Sequence, residues 1–459
     1  MQQDNQRFRH TVVIGAGLTG LTAAHTLKKR EVDVEIIEKT ARIGGQMQTL
    51  AEEDFVFETG PNTGVVSCPE VVELFQDLQP FGCEMEEANE EAKQRWIWKK
   101  GKFHALPTRL SSSISTTLFT WKDKFRILLE PFRPKGTNPD ESVEELVKRR
   151  LGDSYVHYAV DPFISGIYAG NPKTLVTRYA LPKLYNLEHT YGSFIRGAIA
   201  KAKEPKTDRD RLATKKVFAA KGGFGSLVGA LGKAVGSDCI TLNAANIHVK
   251  PVNEKWEVVY TDGQGMEQTI VCQKVITTIG AYALPQVLPF VEKDLMEPII
   301  NLRYAPVVQV AVGVRDTQGV EHRAFGGLIP SCEGLDLLGV LFPSSCFPHR
   351  APKGGAVYSF FLGGMRQPQL IEWSDEEIMN LVKEKMHTML GLPAHVQPDI
   401  SHIFRHRYAI PQYEASSGQR LAAIETIQKH YPGLILAGNI RDGIGMADRI
   451  KQGVKIGNE

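Results

Sequence analysis

Several features that mark particular protein classes are scarce in this sequence. Six cysteines are scattered over 459 residues, and no two of them form a CxxC pair. This spacing argues against a zinc site and a disulfide framework, and it favours a reducing compartment. No stretch approaches about 18 uninterrupted apolar residues, so we predict no membrane-spanning helix. We therefore expect a cytoplasmic protein without a metal site, and attachment to the inner face of a membrane stays open.

A surplus of charge of one sign is also missing. Lysine and arginine number 54, aspartate and glutamate number 52, and the formal net charge is +2. This balance predicts neither a nucleic-acid partner nor an acidic tail. The 42% hydrophobic and 23% charged residues are ordinary for a globular enzyme. The length exceeds that of a single compact core, so we expect about two or three domains.

The most informative stretch is residues 11–38. A short β-branched run, Thr11–Ile14, precedes a GxGxxG motif at Gly15, Gly17 and Gly20, and helical spacing follows. The first glycine permits a tight turn, the second lets the backbone approach a pyrophosphate, and the third lets helix and strand pack closely. The helix N-terminus offers free N–H groups to phosphate. A second strand ends at Glu38, whose carboxylate can accept hydrogen bonds from ribose hydroxyls. This context predicts dinucleotide binding.

A second glycine-rich loop, residues 39–45, follows at once. Arg42 supplies positive charge, and Gly44 and Gly45 supply bare backbone N–H groups, as a second phosphate-contacting loop would need. A glutamate followed by R-x-GG also resembles flavoproteins of the amine-oxidase and phytoene-desaturase kind. That resemblance implies FAD as the cofactor, and it implies that the loop Gly60, Pro61, Asn62 runs beside the flavin.

The remaining patterns indicate an α/β fold, α+β overall. We predict a Rossmann-type FAD-binding domain (1–70, 211–285 and 411–459) and an antiparallel-sheet substrate domain (71–90 and 286–410). A mainly helical insertion covers 91–210. Within it, residues 116–131 mix aromatic, aliphatic and basic side chains at roughly helical spacing. This stretch is either a membrane-facing mouth or an internal helix of the insertion.

Nearly the whole chain, from Val12 to Gly453, resembles the FAD-dependent protoporphyrinogen oxidase family, including its coproporphyrinogen-oxidising relatives. The most specific stretch is Asp161–Gly170 (DPFISGIYAG), which amine oxidases and desaturases lack. The other matching stretches are Arg95–Trp98 with Leu106 and Pro107, Tyr191–Ser193, Lys221–Gly223, Gly327–Pro330, Leu338–Phe342, Arg350–Pro352, Phe361–Gly364 and Ala409–Tyr413.

The resemblance implies roles for individual residues. Arg95 pairs with a propionate of the tetrapyrrole, Leu328 and Leu341 lie on one side of the substrate ring, and Phe361 lies on the other. Asn62 lies near the reacting carbon and is the catalytic candidate. The expected cofactor-binding residues are Gly15, Gly17, Leu18, Thr19, Gly20, Glu38, Lys39, Arg42, Gly44, Gly45, Gly60, Pro61, Asn62, Ile247, Gly438, Ile444, Gly445 and Met446.

Some positions depart from the family pattern. The family usually has a Gly-His pair after Tyr413, but Gly418 and Gln419 stand nearest here, so no histidine is assigned. The adenine contact falls at Asn246 or Ile247. No cysteine follows Cys346, so the C-terminal cysteinyl link of covalent flavoproteins cannot form, and FAD should be non-covalent.

The resemblance implies an oxidase of late haem biosynthesis that converts protoporphyrinogen IX to protoporphyrin IX and passes electrons to dioxygen. Coproporphyrinogen III oxidation on the same fold is the main alternative. An amine oxidase or carotenoid desaturase is less favoured, because neither explains Arg95 or Asp161–Gly170. The least favoured interpretation is a non-catalytic porphyrin carrier. We also expect a homodimer and leave peripheral membrane contact open.

Overall fold

The computed structural model describes residues 6–107 and 116–459. Residues 1–5 and 108–115, which fall in the predicted segments 1–70 and 91–210, lie outside the described residues. The described strands, numbered along the chain, are β1 (Gln6–Ile14), β2 (Val34–Ile37), β3 (Thr49–Glu52), β4 (Phe55–Glu58), β5 (Gly64–Val65), β6 (Met85–Glu87), β7 (Arg95–Lys99), β8 (Lys102–Ala105), β9 (Val217–Ala220), β10 (Ile240–Thr241), β11 (Ala245–Val252), β12 (Lys255–Thr261), β13 (Glu267–Thr277), β14 (Tyr304–Val314), β15 (Gly326–Leu328), β16 (Gly339–Leu341), β17 (Ala356–Gly363), β18 (Ile400–Pro411) and β19 (Leu434–Leu436).

Helices connect these strands and also form a separate block between β8 and β9. The α-helices are Leu18–Lys29, Pro69–Leu78, Trp121–Leu128, Val143–Arg150, Asp153–Tyr155, Asp161–Tyr168, Thr177–Ala180, Pro182–Tyr191, Phe194–Lys203, Asp208–Arg211, Phe224–Val235, Leu284–Val287, Lys293–Ile300, Pro343–Cys346, Asp375–Thr388, Ser417–His430 and Met446–Asn458. In the part of the chain that is described, no helix is long and apolar enough to cross a membrane.

The first sheet contains the glycine-rich motif. Strands β10, β2, β1, β13 and β19 are parallel neighbours, and β11 and β12 extend β13 as an antiparallel meander. The helix after β1 can lie close to the sheet because a Cβ at Gly20 would be 2.0 Å from the carbonyl oxygen of Gly15. The final helix packs on this first helix through Gly453 and Gly457, where a Cβ would collide with Thr22 and Thr26. Small residues therefore bring both helices to the same edge of the sheet.

The second sheet has the order β18-β14-β17-β16-β15-β7-β8 and is antiparallel except for the pairing of β15 with β7. One face is covered by helix Asp375–Thr388 and buries Val310, Val340, Phe342 and Phe360. The hairpin β7–β8 belongs to this sheet, although it falls in the segment 91–210 that we predicted to be mainly helical. The division into domains stays a prediction.

The helical block between β8 and β9 is held by buried charges. Arg150 and Glu130 are fully buried, and their Nε and Oε1 atoms are 3.0 Å apart. Glu130 also accepts hydrogen bonds from the backbone N–H groups of Phe194 and Ile195, at the start of helix Phe194–Lys203. A packing of these helices that separated the two groups would leave a buried charge unpaired and would lower the stability of the fold. The ion pair therefore favours one arrangement of the helices in the block.

Candidate functional site

The loop between β1 and the first helix has the shape that phosphate binding requires. Gly15 has φ of +102°, a conformation that other residues rarely adopt. A Cβ at Gly17 would meet no atom within 4 Å, so this side of the loop is open. The helix then starts at Leu18 with no acidic side chain in its first turn and no side-chain cap. Its first N–H groups, from Leu18, Thr19 and Gly20, are therefore available to an anion.

Glu38 lies beside this loop at the end of β2. Its Oε2 accepts a hydrogen bond from the backbone N–H of Ala16 at 2.9 Å, and its Oε1 accepts hydrogen bonds from the N–H and Oγ1 of Thr40 at 2.9 and 2.8 Å. The side chain is buried, with Lys39 exposed next to it. These bonds hold the carboxylate at the edge of the open side, where it can accept hydrogen bonds from a ribose.

The second glycine-rich loop abuts the first, as the sequence suggested. The N–H of Gly44 donates to the carbonyl of Ala16 at 2.7 Å, and a Cβ at Gly45 would lie 3.3 Å from the Cα of Gly17. Arg42 donates to the carbonyl of Gly45 at 2.8 Å, and its side chain is exposed. The structure thus brings the two proposed phosphate loops together with a guanidinium beside them.

The C-terminal residues complete this edge of the sheet. Gly438 follows β19 with φ of +85°, and a Cβ there would lie 2.7 Å from the carbonyl oxygen of Thr278. Gly445 caps the last helix, and its N–H donates to Asp448 at 3.0 Å. Ile444 packs in the same apolar cluster as Leu328 of the second sheet. Met446 is buried at the first position of the last helix.

The predicted adenine contact lies elsewhere on this edge. Ile247 is buried in the core, where β11 is irregular between Ala245 and His248. The backbone beside Glu38 and Thr40 belongs to Asn243 and Ala244. The N–H of Ala244 donates to the backbone carbonyl of Glu38, and the N–H of Asn243 donates to that of Thr40, both at 3.0 Å. The role of Ile247 stays a prediction.

Four predicted substrate residues share one face of the second sheet. In the strand register, Leu328 and Phe361 flank Gly339, while Leu341 lies opposite Gly326, which in turn pairs with Arg95. Because alternate residues of a strand point to opposite faces, Arg95, Leu328, Leu341 and Phe361 lie on the face away from helix Asp375–Thr388. The three apolar residues are only half-buried, whereas their neighbours on the covered face are buried. These three residues therefore form an apolar surface that the rest of the protein covers only in part.

Arg95 lies at the start of β7. Its guanidinium carbon lies 5.5 Å from the centroid of the Phe325 ring. Among the described residues, no carboxylate forms an ion pair with Arg95. An exposed guanidinium at the edge of an apolar surface is suited to bind a carboxylate of a ligand with two hydrogen bonds.

Asn62 connects the dinucleotide side with this apolar face. It is buried, its Nδ2 donates to the carbonyl of Gly60 at 2.9 Å, and its Oδ1 accepts from the hydroxyl of Ser359 at 2.9 Å. Position 60 has room only for glycine, because a Cβ there would be 2.2 Å from the carbonyl oxygen of Gln46. Asn62 is thus close to the predicted substrate residues, although they are distant in sequence.

The motif Asp161–Gly170 packs against the same face. A Cβ at Gly166 would lie 2.5 Å from Leu328, so the helix touches the apolar surface closely. The carboxylate of Asp161 pairs with Arg366 at 2.9 Å and accepts from the N–H of Ser331. This motif therefore forms one boundary of the surface.

Sequence reasoning missed a buried ion pair next to the loop that carries Asn62. The Nη1 of Arg350 lies 2.8 Å from the Oε1 of Glu58, and the carboxylate also accepts from Phe224 N–H and Thr49 Oγ1. Burial raises the pKa of the Glu58 carboxyl, and Arg350 opposes that shift. Arg350 stands in a motif that matched the family, but no spacing rule could have linked it to Glu58. Among the described residues, no cluster of His, Cys, Asp or Glu could hold a metal ion.

Comparisons with known proteins agree with this geometry. The family model for "Flavin containing amine oxidoreductase" matches residues 18–454. Protoporphyrinogen oxidase 2 of Arabidopsis thaliana is 29% identical, with 97% of this chain and 92% of that protein covered. Coproporphyrinogen III oxidase of Bacillus subtilis is 26% identical, with 97% and 96% covered.

Solved structures show the same fold. A "putative protoporphyrinogen oxidase" from Exiguobacterium sp. 255-15 has a TM-score of 0.80 at 22% identity, covering 98% of each chain. Reduced UDP-galactopyranose mutase has a TM-score of 0.72 at 15% identity, covering 98% of this chain and 93% of that one. The predicted fold class and the resemblance stated above are confirmed.

Proposed function

We propose that this chain is an FAD-dependent oxidase that converts protoporphyrinogen IX to protoporphyrin IX with dioxygen as acceptor. This reaction is a late step of haem biosynthesis. The chain belongs to the flavin-containing amine oxidoreductase family, whose members bind a flavin. One observation carries the proposal: Arg95, Leu328, Leu341 and Phe361 share an open face of the second sheet, and Asn62 joins that face to the dinucleotide loops. Named relatives that oxidise porphyrinogens support it.

The residues present fit FAD. The N–H groups at the start of the first helix and the N–H of Gly45 suit the pyrophosphate, with Arg42 adding charge, and Glu38 suits the ribose. The open space over Gly17 leaves room for the phosphates to approach the backbone. FAD supplies a two-electron acceptor when it is bound. We propose that it is held without a covalent bond, since no cysteine follows Cys346.

The substrate face suits a porphyrinogen in particular. Such a molecule is an apolar macrocycle with carboxylate arms and saturated bridging carbons. Arg95 would hold a propionate with two hydrogen bonds and so orient the ring. Leu328, Leu341 and Phe361 would contact the ring and exclude water. A strong base is not required, because the pyrrole N–H proton can leave to water.

Coproporphyrinogen III is the second candidate substrate. The observation that favours it is the similarity to coproporphyrinogen III oxidase over 97% of this chain. Its four carboxylates would need further cations around the apolar face, whereas the two carboxylates of protoporphyrinogen suit a more apolar surface. Protoporphyrinogen stays our first proposal. Dioxygen as the acceptor and a homodimer also stay predictions.

An anaerobic mixing experiment tests the reaction. Purified FAD-loaded protein is mixed with protoporphyrinogen without oxygen, and the visible absorption of the flavin is followed. We expect the flavin to bleach within a turnover and to recover its colour when oxygen is admitted. A flavin that dithionite bleaches but neither porphyrinogen bleaches would contradict the proposal. Faster bleaching by coproporphyrinogen would change the substrate only.

We also propose that helix Trp121–Leu128 contacts a membrane surface. None of its residues is buried, and Trp121, Phe125 and Leu128 are each 64% exposed at helical spacing. Lysine and arginine side chains lie between them, as in helices that bind at a lipid interface. This exposure supports a membrane-facing helix over an internal helix of the insertion.

Sedimentation with phosphatidylglycerol–phosphatidylcholine vesicles tests this contact. The double variant Phe125→Ser, Leu128→Ser should lower the fraction of protein bound to vesicles several-fold, because the apolar area that would enter the lipid interface is lost. Phe8→Ser, which removes an equally exposed aromatic residue from β1, is the matched control. Equal binding of wild type and the double variant would exclude this helix from the contact.

A further inference from the structure

The loop that carries Asn62 is attached to the second sheet by polar side chains from three strands. Gln309 on β14 donates to the carbonyl of Glu58 at 2.7 Å, and Nε2 of His406 on β18 lies 2.7 Å from the carbonyl of Thr59. Ser359 on β17 bonds the Asn62 side chain itself. The second sheet therefore holds this segment at Glu58, Thr59 and Asn62, and the predicted substrate residues lie on the same sheet.

Ser359 is unusual for its position. It is 1% exposed and lies between Leu341 and Ala311 in one row across the sheet, on the face that carries Phe361. A buried hydroxyl at an otherwise apolar position is costly unless it is hydrogen-bonded. The Ser359 hydroxyl donates a hydrogen bond to the Oδ1 of Asn62 at 2.9 Å. The pair links the apolar surface directly to the catalytic candidate.

The orientation of the Asn62 amide follows from these two contacts. The carbonyl of Gly60 can only accept a hydrogen bond, so the Nδ2 end of the amide must face it. The Oδ1 end then faces Ser359, and the serine hydroxyl must donate. A reversed amide would place two acceptors against each other at Gly60. One N–H of Asn62 is used by Gly60, and the second stays available for one further acceptor.

We propose that Ser359 is a positioning residue that holds the Asn62 amide so that this second N–H donates to the flavin. This inference rests on the proposed function, because the role of Asn62 beside the flavin is part of it. The choice of acceptor follows from chemistry. The porphyrinogen macrocycle presents pyrrole N–H donors, and we propose that Arg95 holds a carboxylate arm, whereas the flavin ring has carbonyl and ring-nitrogen acceptors. Ser359 thereby acts on the reaction through Asn62 and touches neither substrate nor cofactor.

The flavin reduction potential reports this contact without any substrate. A hydrogen bond to a flavin acceptor is stronger when the ring is reduced and more electron-rich, so loss of the bond makes the potential more negative. Ser359→Thr keeps the hydroxyl and adds a methyl group. Ser359→Val has the shape of threonine but carries a methyl group in place of the hydroxyl. We expect the threonine variant to retain the wild-type potential and the valine variant to shift it in the same direction as Asn62→Ala.

A double-mutant cycle decides whether the effect passes through Asn62. In the Asn62→Ala background, Ser359→Val should cause no further shift of the potential. Equal potentials of the threonine and valine variants, or shifts that simply add to that of Asn62→Ala, would overturn the proposal. If the added methyl groups of both variants displace FAD, Ser359→Ala, which adds no atom, is compared with wild type instead. It should shift the potential in the direction of Asn62→Ala and should cause no further shift in the Asn62→Ala background.

Turnover separates this inference from the proposed function. We expect Ser359→Val to lower kcat several-fold with little change in KM, because Arg95 and the apolar residues still bind the substrate. If porphyrinogens are not oxidised at all, the proposed substrate is wrong, and the coupling of Ser359 to the potential is still measured. If porphyrinogens are oxidised but the potential is uncoupled from Ser359, only the inference about Ser359 is wrong.

Discussion

Arg350 and Glu58 form an ion pair of 2.8 Å inside the protein, with 3% of each side chain exposed. The two residues are 292 positions apart. Glu58 ends the strand that leads into the loop of Asn62, and its carboxylate also caps helix Phe224–Val235 through the N–H of Phe224. A single buried carboxylate thus joins the loop, a helix of the dinucleotide side and the segment before β17.

We expect Arg350→Met to destabilise the protein strongly, because it leaves the Glu58 charge buried without its cation. Breaking a buried pair from one side costs about 3–5 kcal/mol. Urea denaturation measures the loss, and Arg407→Met, in an exposed pair with Glu372, is the control and should change little. Adding Glu58→Gln to Arg350→Met should recover part of the stability. Similar midpoints for Arg350→Met and the control would contradict the structural importance of the buried pair.

Glu38→Gln should weaken FAD binding by about tenfold or more, since a charged acceptor beside the open side of the loop becomes neutral. The comparison is Glu35→Gln on the same strand, where a buried carboxylate pairs with Arg7 and Arg9 instead. Equilibrium dialysis of FAD against the apoprotein measures the affinity. We expect the Glu35 variant to lose stability but to retain FAD. Equal loss of FAD from both would remove Glu38 from the ribose site.

Arg95→Ala should raise KM and lower kcat/KM by about 10- to 150-fold, which corresponds to about 1.5–3 kcal/mol for a charged hydrogen bond. The flavin content should stay that of wild type. Arg323→Ala, which removes a guanidinium paired with Glu321 in the segment before β15, is the control. Steady-state kinetics with protoporphyrinogen measure the effect. Unchanged kinetics would place the carboxylate of the substrate elsewhere.

His322 should make stability depend on pH. Burial lowers the pKa of His322 below 6.5, and its two ring nitrogens contact the Leu390 carbonyl and the Tyr358 hydroxyl. The unfolded chain therefore binds a proton more readily than the folded one, so this residue lowers the free energy of unfolding as pH falls below about 6.5. His322→Gln should flatten the acid limb of a plot of that free energy against pH. His395→Gln, which replaces an exposed histidine, is the control variant, and an unchanged slope for His322→Gln would refute the assignment.

Local sequence spacing was enough to predict the dinucleotide side. Gly15, Gly17, Gly20 and Glu38 lie within one strand–helix–strand unit, so their predicted roles follow from short-range geometry. The predicted substrate residues were chosen only through the family resemblance, because their shared face depends on strand register. The pairs Glu58–Arg350 and Ser359–Asn62 are separated by 292 and 297 residues. Neither the hydrophobic periodicity nor the motif spacing of the sequence predicts contacts between residues so far apart in the chain.

The same reason explains the hairpin β7–β8. The run Arg95–Trp98 predicts a short strand within the mainly helical segment, but it does not reveal the neighbour with which that strand pairs. The parallel pairing with β15 bridges more than two hundred residues of chain. Only the folded structure shows that Arg95 belongs to the second sheet.

The most direct test of the account is oxygen-dependent oxidation of each porphyrinogen by the purified FAD-loaded protein, followed by porphyrin fluorescence. We expect protoporphyrinogen to be oxidised faster than its rate in air without protein, and faster than coproporphyrinogen under the same conditions. Preference for coproporphyrinogen would keep the fold, cofactor and chemistry but correct the substrate. Fluorescence that rises no faster than without protein, for both substrates, would contradict the central claim.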